Sequence, residues 1–422
     1  MPLERKTSRN PWTFIPTLYF AEGVPYILIN AVSVIVYKRM GIDNATIAFW
    51  TSFLYLPWVI KMFWGPVVDT HSTKRTWIIG TQFAMTMFLA LVASALHLPG
   101  FFAITLIAFF AAAFVSATHD IAADGFYLLA LDKDNQALFV GIRSTFYRFA
   151  MIFGQGLIVW LAGRLEVSSG NIPGSWTIAF GIAAGLFGVI AVYHRFMLPY
   201  PVSDHPNAGT GQPGSAFVQV FSSYFKQKNI GIIIAFILLY RFGEAFLLKL
   251  ASPFFLDKRE VGGLALTTSE VGIVYGTIGL ACLLAGGITG GIILKKYGLR
   301  KCLWPMAIII NIPMYVYVFL SQTQPSVYMA APMVALEQFS YGFGFTAYMV
   351  YLMFLARGEY KTSHYAISTG LMALGMMMPG FVSGLLQKML GYQHFFILTA
   401  LLGIPGIITL FFIPLPEDEG KP

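Results

Sequence analysis

Apolar residues in this chain come in runs of about twenty or more, broken by short polar turns, and not in alternating positions or a narrow stripe. A helix needs about twenty apolar residues to cross the hydrocarbon of a bilayer. The strands of an outer-membrane barrel would instead alternate over segments of about ten residues. The pattern predicts helical spans near 14–38, 46–68, 77–97, 101–130, 138–163, 176–198, 229–256, 267–294, 302–321, 326–356, 362–389 and 393–414. The expected fold class is an all-α integral membrane protein of about 12 transmembrane helices. The first apolar stretch is too long for a cleavable signal and continues into further spans.

The polar segments then organise these spans. The longest loop, about 199–228, contains PYPVSDHPNAGTGQPGS and reads as a flexible cytoplasmic linker at the midpoint. It divides the chain into an N-terminal six-helix bundle (1–198) and a C-terminal one (229–422). The halves correspond: a shift of 222 positions brings Glu22 onto Glu244, Gly41 onto Gly263 and Gly65 onto Gly287. Lys and Arg gather in alternate loops, among them Arg5, Lys6 and Arg9, Lys74 and Arg75, Lys295, Lys296, Arg300 and Lys301, and Arg357 and Lys361. By the positive-inside tendency these loops, and both termini, are expected in the cytoplasm.

Composition agrees and removes other function classes. The 422 residues are 57% hydrophobic and 11% charged, against about a quarter charged in soluble domains. The formal charge of +8 does not argue for nucleic acid, because the basic residues sit in short loops where topology accounts for them. Cys282 and Cys302 form no ligand or disulfide pattern. The histidines (71, 97, 119, 194, 205, 364 and 394) are scattered, with no HExxH or nucleophile–base pair, so neither a metal site nor a hydrolase is expected. There is no GxxxxGK[ST] loop, which speaks against ATP-driven transport by this chain alone.

Two loops carry a resemblance. GPVVDTHSTKR (65–75) and GGIILKKYGLRK (290–301) stand at equivalent places in the halves, each a glycine helix end followed by a basic turn. Both resemble the cytoplasmic loop signature of the major facilitator superfamily, with Asp69, Arg75 and Arg300 as motif residues; Lys295 stands near where the first copy has its acid. Residues 22–69 and SATHDIAADGFYLLAL (116–131) resemble the branch that holds the bacterial muropeptide permease AmpG and the acetyl-CoA transporters. Lys61, Trp64, Asp120 and Asp124 fit that branch, whereas His119 stands where it would have Gln. The resemblance implies two pseudo-symmetric bundles with substrate held between them. It also implies proton-driven import of anhydromuropeptides across a bacterial cytoplasmic (inner) membrane.

Ionisable groups inside spans each cost roughly 2.5–3.5 kcal/mol on insertion scales and therefore need partners or a wet cavity. At about 1.5 Å per residue, Glu22 lies roughly 14 Å into its span, Glu337 about 16 Å, and Arg241 and Glu244 roughly 18–22 Å. Asp120 and Asp124 share a helix face and lie at a depth similar to Arg143 and Arg148 in the next span. Pairing across these two spans is expected, either as a gating lock or with one carboxylate carrying a coupling proton. Glu22 sits in FAEGVPYILI with no cation within a helical turn, a setting in which a carboxyl can load and unload a proton. The proton-coupling candidates are therefore Glu22, Asp120, Asp124 and Glu337.

Arg241 and Glu244, three apart, can neutralise each other; a free Arg241 would suit a substrate carboxylate or phosphate. His119 is either a relay or a hydrogen-bonded helix-face histidine. Lys61 and Lys249 lie near helix ends, from which a long stem can snorkel to headgroups. Tyr341, Tyr348 and Tyr351 share a face that suits sugar rings, the alternative being packing. The glycines of GGITGG (286–291) and GFGF (342–345) suit close helix contact. Together these features point to a proton-coupled symporter of a sugar- or glycopeptide-like small molecule, with a proton gradient in place of a cofactor; a monomer is expected. The alternatives are an acyl-CoA exchanger of the same superfamily and a membrane receptor without transport.

Overall fold

The computed structural model describes residues 8–206, 219, 221–356 and 361–415. Within these, the side chain of Asp69 lies outside the described residues. The described residues are mostly helical, and nine helices among them are long and apolar enough to cross a membrane. One of them, Ser363–Thr409, holds two passes that meet at Gly391, whose φ of 71° and ψ of 169° interrupt the helix. Span 2 adds a further pass that is broken into short pieces: Asn44–Phe53, Leu56–Ile60, a 3-10 turn at Lys61–Phe63, and Gly65–His71. Pro57 accounts for part of this break, since it offers no amide hydrogen to the preceding turn. Span 10, Val327–Leu355, is a full-length helix whose hydropathy is diluted by Glu337, Gln338 and several tyrosines. The described residues thus hold helices matching the twelve spans that the hydrophobic pattern predicts.

Two compact units emerge. The first comprises residues 1–36 and 60–211, the second 37–59 and 212–422. The end of span 1 and the first part of span 2 (37–59) therefore belong to the second unit. In the first unit, span 1 packs on span 5 (Gly141–Ser169), and span 3 (Lys74–Ala95) packs on spans 4 (Phe101–Ala130) and 6 (Ile172–Met197). In the second, span 7 (Ile230–Leu256) packs on span 11, and span 10 on spans 8 (Thr268–Tyr297) and 9 (Leu299–Thr323). The pairs 1–5 and 3–4 reappear as 7–11 and 9–10, so the sequence repeat is also a repeat of packing. Each unit has its own core: Phe14, Leu18, Phe126 and Phe139 in the first, Phe236, Leu303, Tyr348 and Tyr351 in the second. Large apolar side chains such as Met87, Ile107 and Val189 stay exposed, as expected where the surrounding solvent is lipid.

The loop arginine of the first half has a defined local role. Asp204, beyond span 6, accepts from the backbone N–H groups of Lys74 (2.7 Å) and Arg75 (3.0 Å) and so caps the start of span 3. The Arg75 side chain reaches the other way, donating to the Leu198 and Arg195 carbonyls at the end of span 6 and lying over the Tyr200 ring. Arg300 is exposed and lines an open groove of about 620 Å³ with Trp304, Leu410 and Phe411.

Spans 8 and 10 meet through glycine. A Cβ at Gly286 would overlap the Phe339 carbonyl, and one at Gly342 would overlap the Leu283 carbonyl, so each backbone rests on the other. Gly291, in the same motif, has nothing within 4 Å of such a Cβ. Gly342→Ala should therefore destabilise by about 1–3 kcal/mol, the usual cost of overpacking. Gly291→Ala should be neutral or stabilising by up to about 1 kcal/mol, from reduced freedom in the unfolded chain. Thermal unfolding in detergent compares them, and equal melting temperatures for the two variants would contradict the close contact.

Candidate functional site

In the first unit the charged side chains of spans 1, 2, 4 and 5 converge. Asp124 accepts from Arg143 Nη1 at 3.0 Å and from the Tyr19 hydroxyl at 3.1 Å, and Arg143 also donates to the Tyr19 oxygen at 2.9 Å. The guanidinium lies about 5 Å from the centroids of the Tyr19 and Tyr127 rings, within cation–π range. The expected span 4–span 5 pair is thus present for Asp124. Asp120 also faces Lys61 of span 2, at 3.5 Å. Lys61 therefore does not serve as a snorkelling residue alone; its amine has an acid partner. Arg148 is half-buried on the same helix as Arg143.

Glu22 lies in the same unit. Its Oε2 is buried and has no hydrogen-bond partner, although the charges of Asp124, Asp120, Lys61 and Arg143 are all close enough to act on it. A carboxylate oxygen in that position is unsatisfied, and burial without a partner is costly for a charged group.

His119 is 4% exposed and faces span 3. Gln82 Nε2 donates to His119 Nε2 at 3.0 Å, while Gln82 Oε1 accepts from His194 Nδ1 at 3.0 Å. His194 Nε2 in turn lies 2.9 Å from the Thr17 hydroxyl. This arrangement needs the His119 ring neutral, with its proton on Nδ1, a buried atom without a partner. Spans 1, 3, 4 and 6 are joined by this chain, which the charged-residue survey of the sequence does not find. Its signal is neutral: Thr17, Gln82 and His194 are polar side chains in otherwise apolar spans.

In the second unit, Arg241 and Glu244 form a bidentate pair at 2.9 and 3.0 Å. Arg241 also donates to the Tyr341 hydroxyl, and its guanidinium lies 4.6 Å from the Phe345 ring centroid. The arginine fork is therefore occupied within its own unit. Tyr348 and Tyr351 are fully buried. Tyr348 stacks on Tyr240 at 4.8 Å and donates to the Ile237 carbonyl at 2.7 Å, and Tyr351 packs edge-on against Phe236 at 4.7 Å. The sequence expects one continuous tyrosine face; of the three, Tyr341 is half-buried and the other two belong to the aromatic core. Glu337 is 5% exposed, accepts from Gln338 Nε2 at 2.9 Å and lies 3.5 Å from the Tyr317 hydroxyl. No cation pairs with it among the described residues.

Lys249 departs from expectation. It is 4% exposed, and its amine donates to the Thr51 hydroxyl at 3.3 Å and lies 5.0 Å from the Tyr55 ring centroid. It does not snorkel: its stem runs beside Gly380 of span 11. No group of three or more His, Cys, Asp or Glu residues able to hold a metal occurs among the described residues.

The sequence profile described as Major Facilitator Superfamily matches residues 17–378. The chain belongs to this superfamily. Among its relatives is the anhydromuropeptide permease of Escherichia coli strain K12, 26% identical over 403 residues that cover 93% of this chain and 77% of that one. A candidate transporter of Rickettsia felis, AmpG 4, is 25% identical over 414 residues and 94% of both chains. Among solved structures, a D-xylose–proton symporter superposes with a TM-score of 0.72 at 14% identity, covering 97% of this chain and 98% of the other. That likeness concerns the fold. As a superfamily member with AmpG-type relatives, this multi-pass protein is a secondary transporter of a small molecule and not an enzyme.

Proposed function

We propose that this superfamily member imports anhydromuropeptides by proton symport across a bacterial cytoplasmic membrane, as a monomer with both termini inside. The observation that carries the substrate assignment is the match to the E. coli anhydromuropeptide permease along 93% of the chain, through both halves and not a single motif. The coupling assignment draws support from the first unit. Asp120 and Asp124 are held by Lys61 and Arg143, whereas Glu22 has a buried, unpartnered oxygen. A carboxyl that must gain and lose a proton during a cycle is better served by such a position than by an ion pair. The Asp124–Arg143–Tyr19 and Asp120–Lys61 groups serve on this reading as locks whose opening accompanies exchange between conformations.

The test is uptake of labelled anhydromuropeptide by proteoliposomes under an inward proton gradient, with and without a protonophore. Gradient-dependent accumulation that the protonophore abolishes is expected. Uptake that survives collapse of the gradient would remove proton coupling, and no uptake by folded protein would remove the substrate.

A further inference from the structure

Among the described residues, four cations in or beside the spans are paired with carboxylates. Lys38 has Asp257, Lys61 has Asp120, Arg143 has Asp124 and Arg241 has Glu244. Lys249 breaks the pattern: among the described residues no carboxylate pairs with it. Its neighbours are a neutral hydroxyl, Thr51 Oγ1, which itself donates to the Ile47 carbonyl at 2.7 Å, and the face of Tyr55. The position is also built for it. A Cβ at Gly380 would come 3.0 Å from Lys249 Cε and overlap the Ser52 hydroxyl, so the glycine leaves the channel through which the lysine stem passes. Thr51, Tyr55, Lys249 and Gly380 all belong to the second unit. A lysine buried in a span without a countercharge is costly, and ionisable groups kept at such positions commonly mark functional sites.

We propose that Lys249 is the docking point for an anionic group of the transported solute, a carboxylate of the peptide portion, with the Tyr55 ring and Thr51 hydroxyl beside it and Gly380 as the positioning residue for the lysine stem. The inference rests on the transport reading above and names the charge that the substrate must carry. A compact ammonium suits this task, since it pairs with one carboxylate oxygen without the planar geometry that an arginine fork demands. At 4% exposure the amine is covered in this conformation, and the alternating-access motion of a transporter is what uncovers it.

The experiment measures thermal unfolding of the purified full-length protein in detergent. Wild type, Lys249→Met and Lys249→Arg are titrated with anhydromuropeptide, with the same compound after its carboxylates are converted to carboxamides, and with acetyl-CoA. Ligand-free Lys249→Met should melt at or above the wild-type temperature, because an unpaired buried charge has been removed. Anhydromuropeptide should stabilise the wild type but need about tenfold or more higher concentration for Lys249→Met. Lys249→Arg should recover part of that loss, and the carboxamide should act on all three alike. If acetyl-CoA, and not the muropeptide, shows the Lys249-dependent shift, the anion site stands and the muropeptide assignment falls. The proposal is overturned if Lys249→Met responds like the wild type to every anion that the wild type binds. It is equally overturned if the variant loses carboxylate and carboxamide to the same extent, or if no anion stabilises the wild type.

Discussion

Replacing Arg241 with Met should destabilise the protein by about 3–5 kcal/mol, the usual cost of leaving one member of a buried ion pair without its partner. Glu244 is only 2% exposed and accepts both of its bonds from this one guanidinium. Removing the arginine also withdraws the donor to Tyr341 and the cation over Phe345. The double variant Arg241→Met/Glu244→Gln should recover most of the loss, since no charge then remains to be compensated. Lys in place of Arg should fall between, because one ammonium cannot make the two parallel bonds. Thermal unfolding in detergent measures all three. A different result would be informative. If Arg241→Met melted like the wild type but lost substrate affinity, the arginine would act on the solute and its bond to Glu244 would be incidental.

Glu22→Gln should abolish concentrative uptake while leaving exchange of internal for external substrate intact. Each net positive charge carried inward down 100 mV supplies about 2.3 kcal/mol, enough for roughly forty- to fiftyfold accumulation. A glutamine keeps the shape and the hydrogen-bonding capacity of the site but cannot ionise, so the variant should equilibrate substrate across the membrane and stop there. Counterflow in proteoliposomes without a gradient separates the two functions. If the variant still accumulated substrate under a proton gradient, the coupling carboxylate would be another of the group. Asp120 would be examined first, since its ion pair with Lys61 is longer, at 3.5 Å, than the 3.0 Å bond between Asp124 and Arg143.

Both predictions depend on a distinction that charge counting does not supply. Arg241 and Glu22 each lie deep in an apolar span, and by depth alone they are equivalent candidates for pairing. What separates them is that Arg241 has an acid one helical turn away and Glu22 has no cation within a helical turn. That much is legible along the chain. That Asp120 also reaches a lysine of span 2, Lys61, is not.

By itself, the amino-acid sequence determined the twelve spans, a break between the last two within 390–392, and the repeat of the two halves. It also offered the local pair Arg241–Glu244, glycine motifs suited to close helix contact, and the expectation that the carboxylates of span 4 pair with the arginines of span 5. These follow from run length, backbone permissiveness and the 3.6-residue period, all properties of a segment or of neighbours along it. Tertiary packing decided the rest. Thr17, Gln82, His119 and His194 form one hydrogen-bonded chain although they come from four spans. Tyr348 and Tyr351 became core while Tyr341 met Arg241, and Lys249, near a helix end, turned inward beside Gly380. The physical reason is common to these cases. Helical periodicity gives the face and depth of a side chain, whereas its partners depend on which helices pack together and at what rotation, and in lipid that is set by small-residue contacts and polar matches between spans distant in sequence.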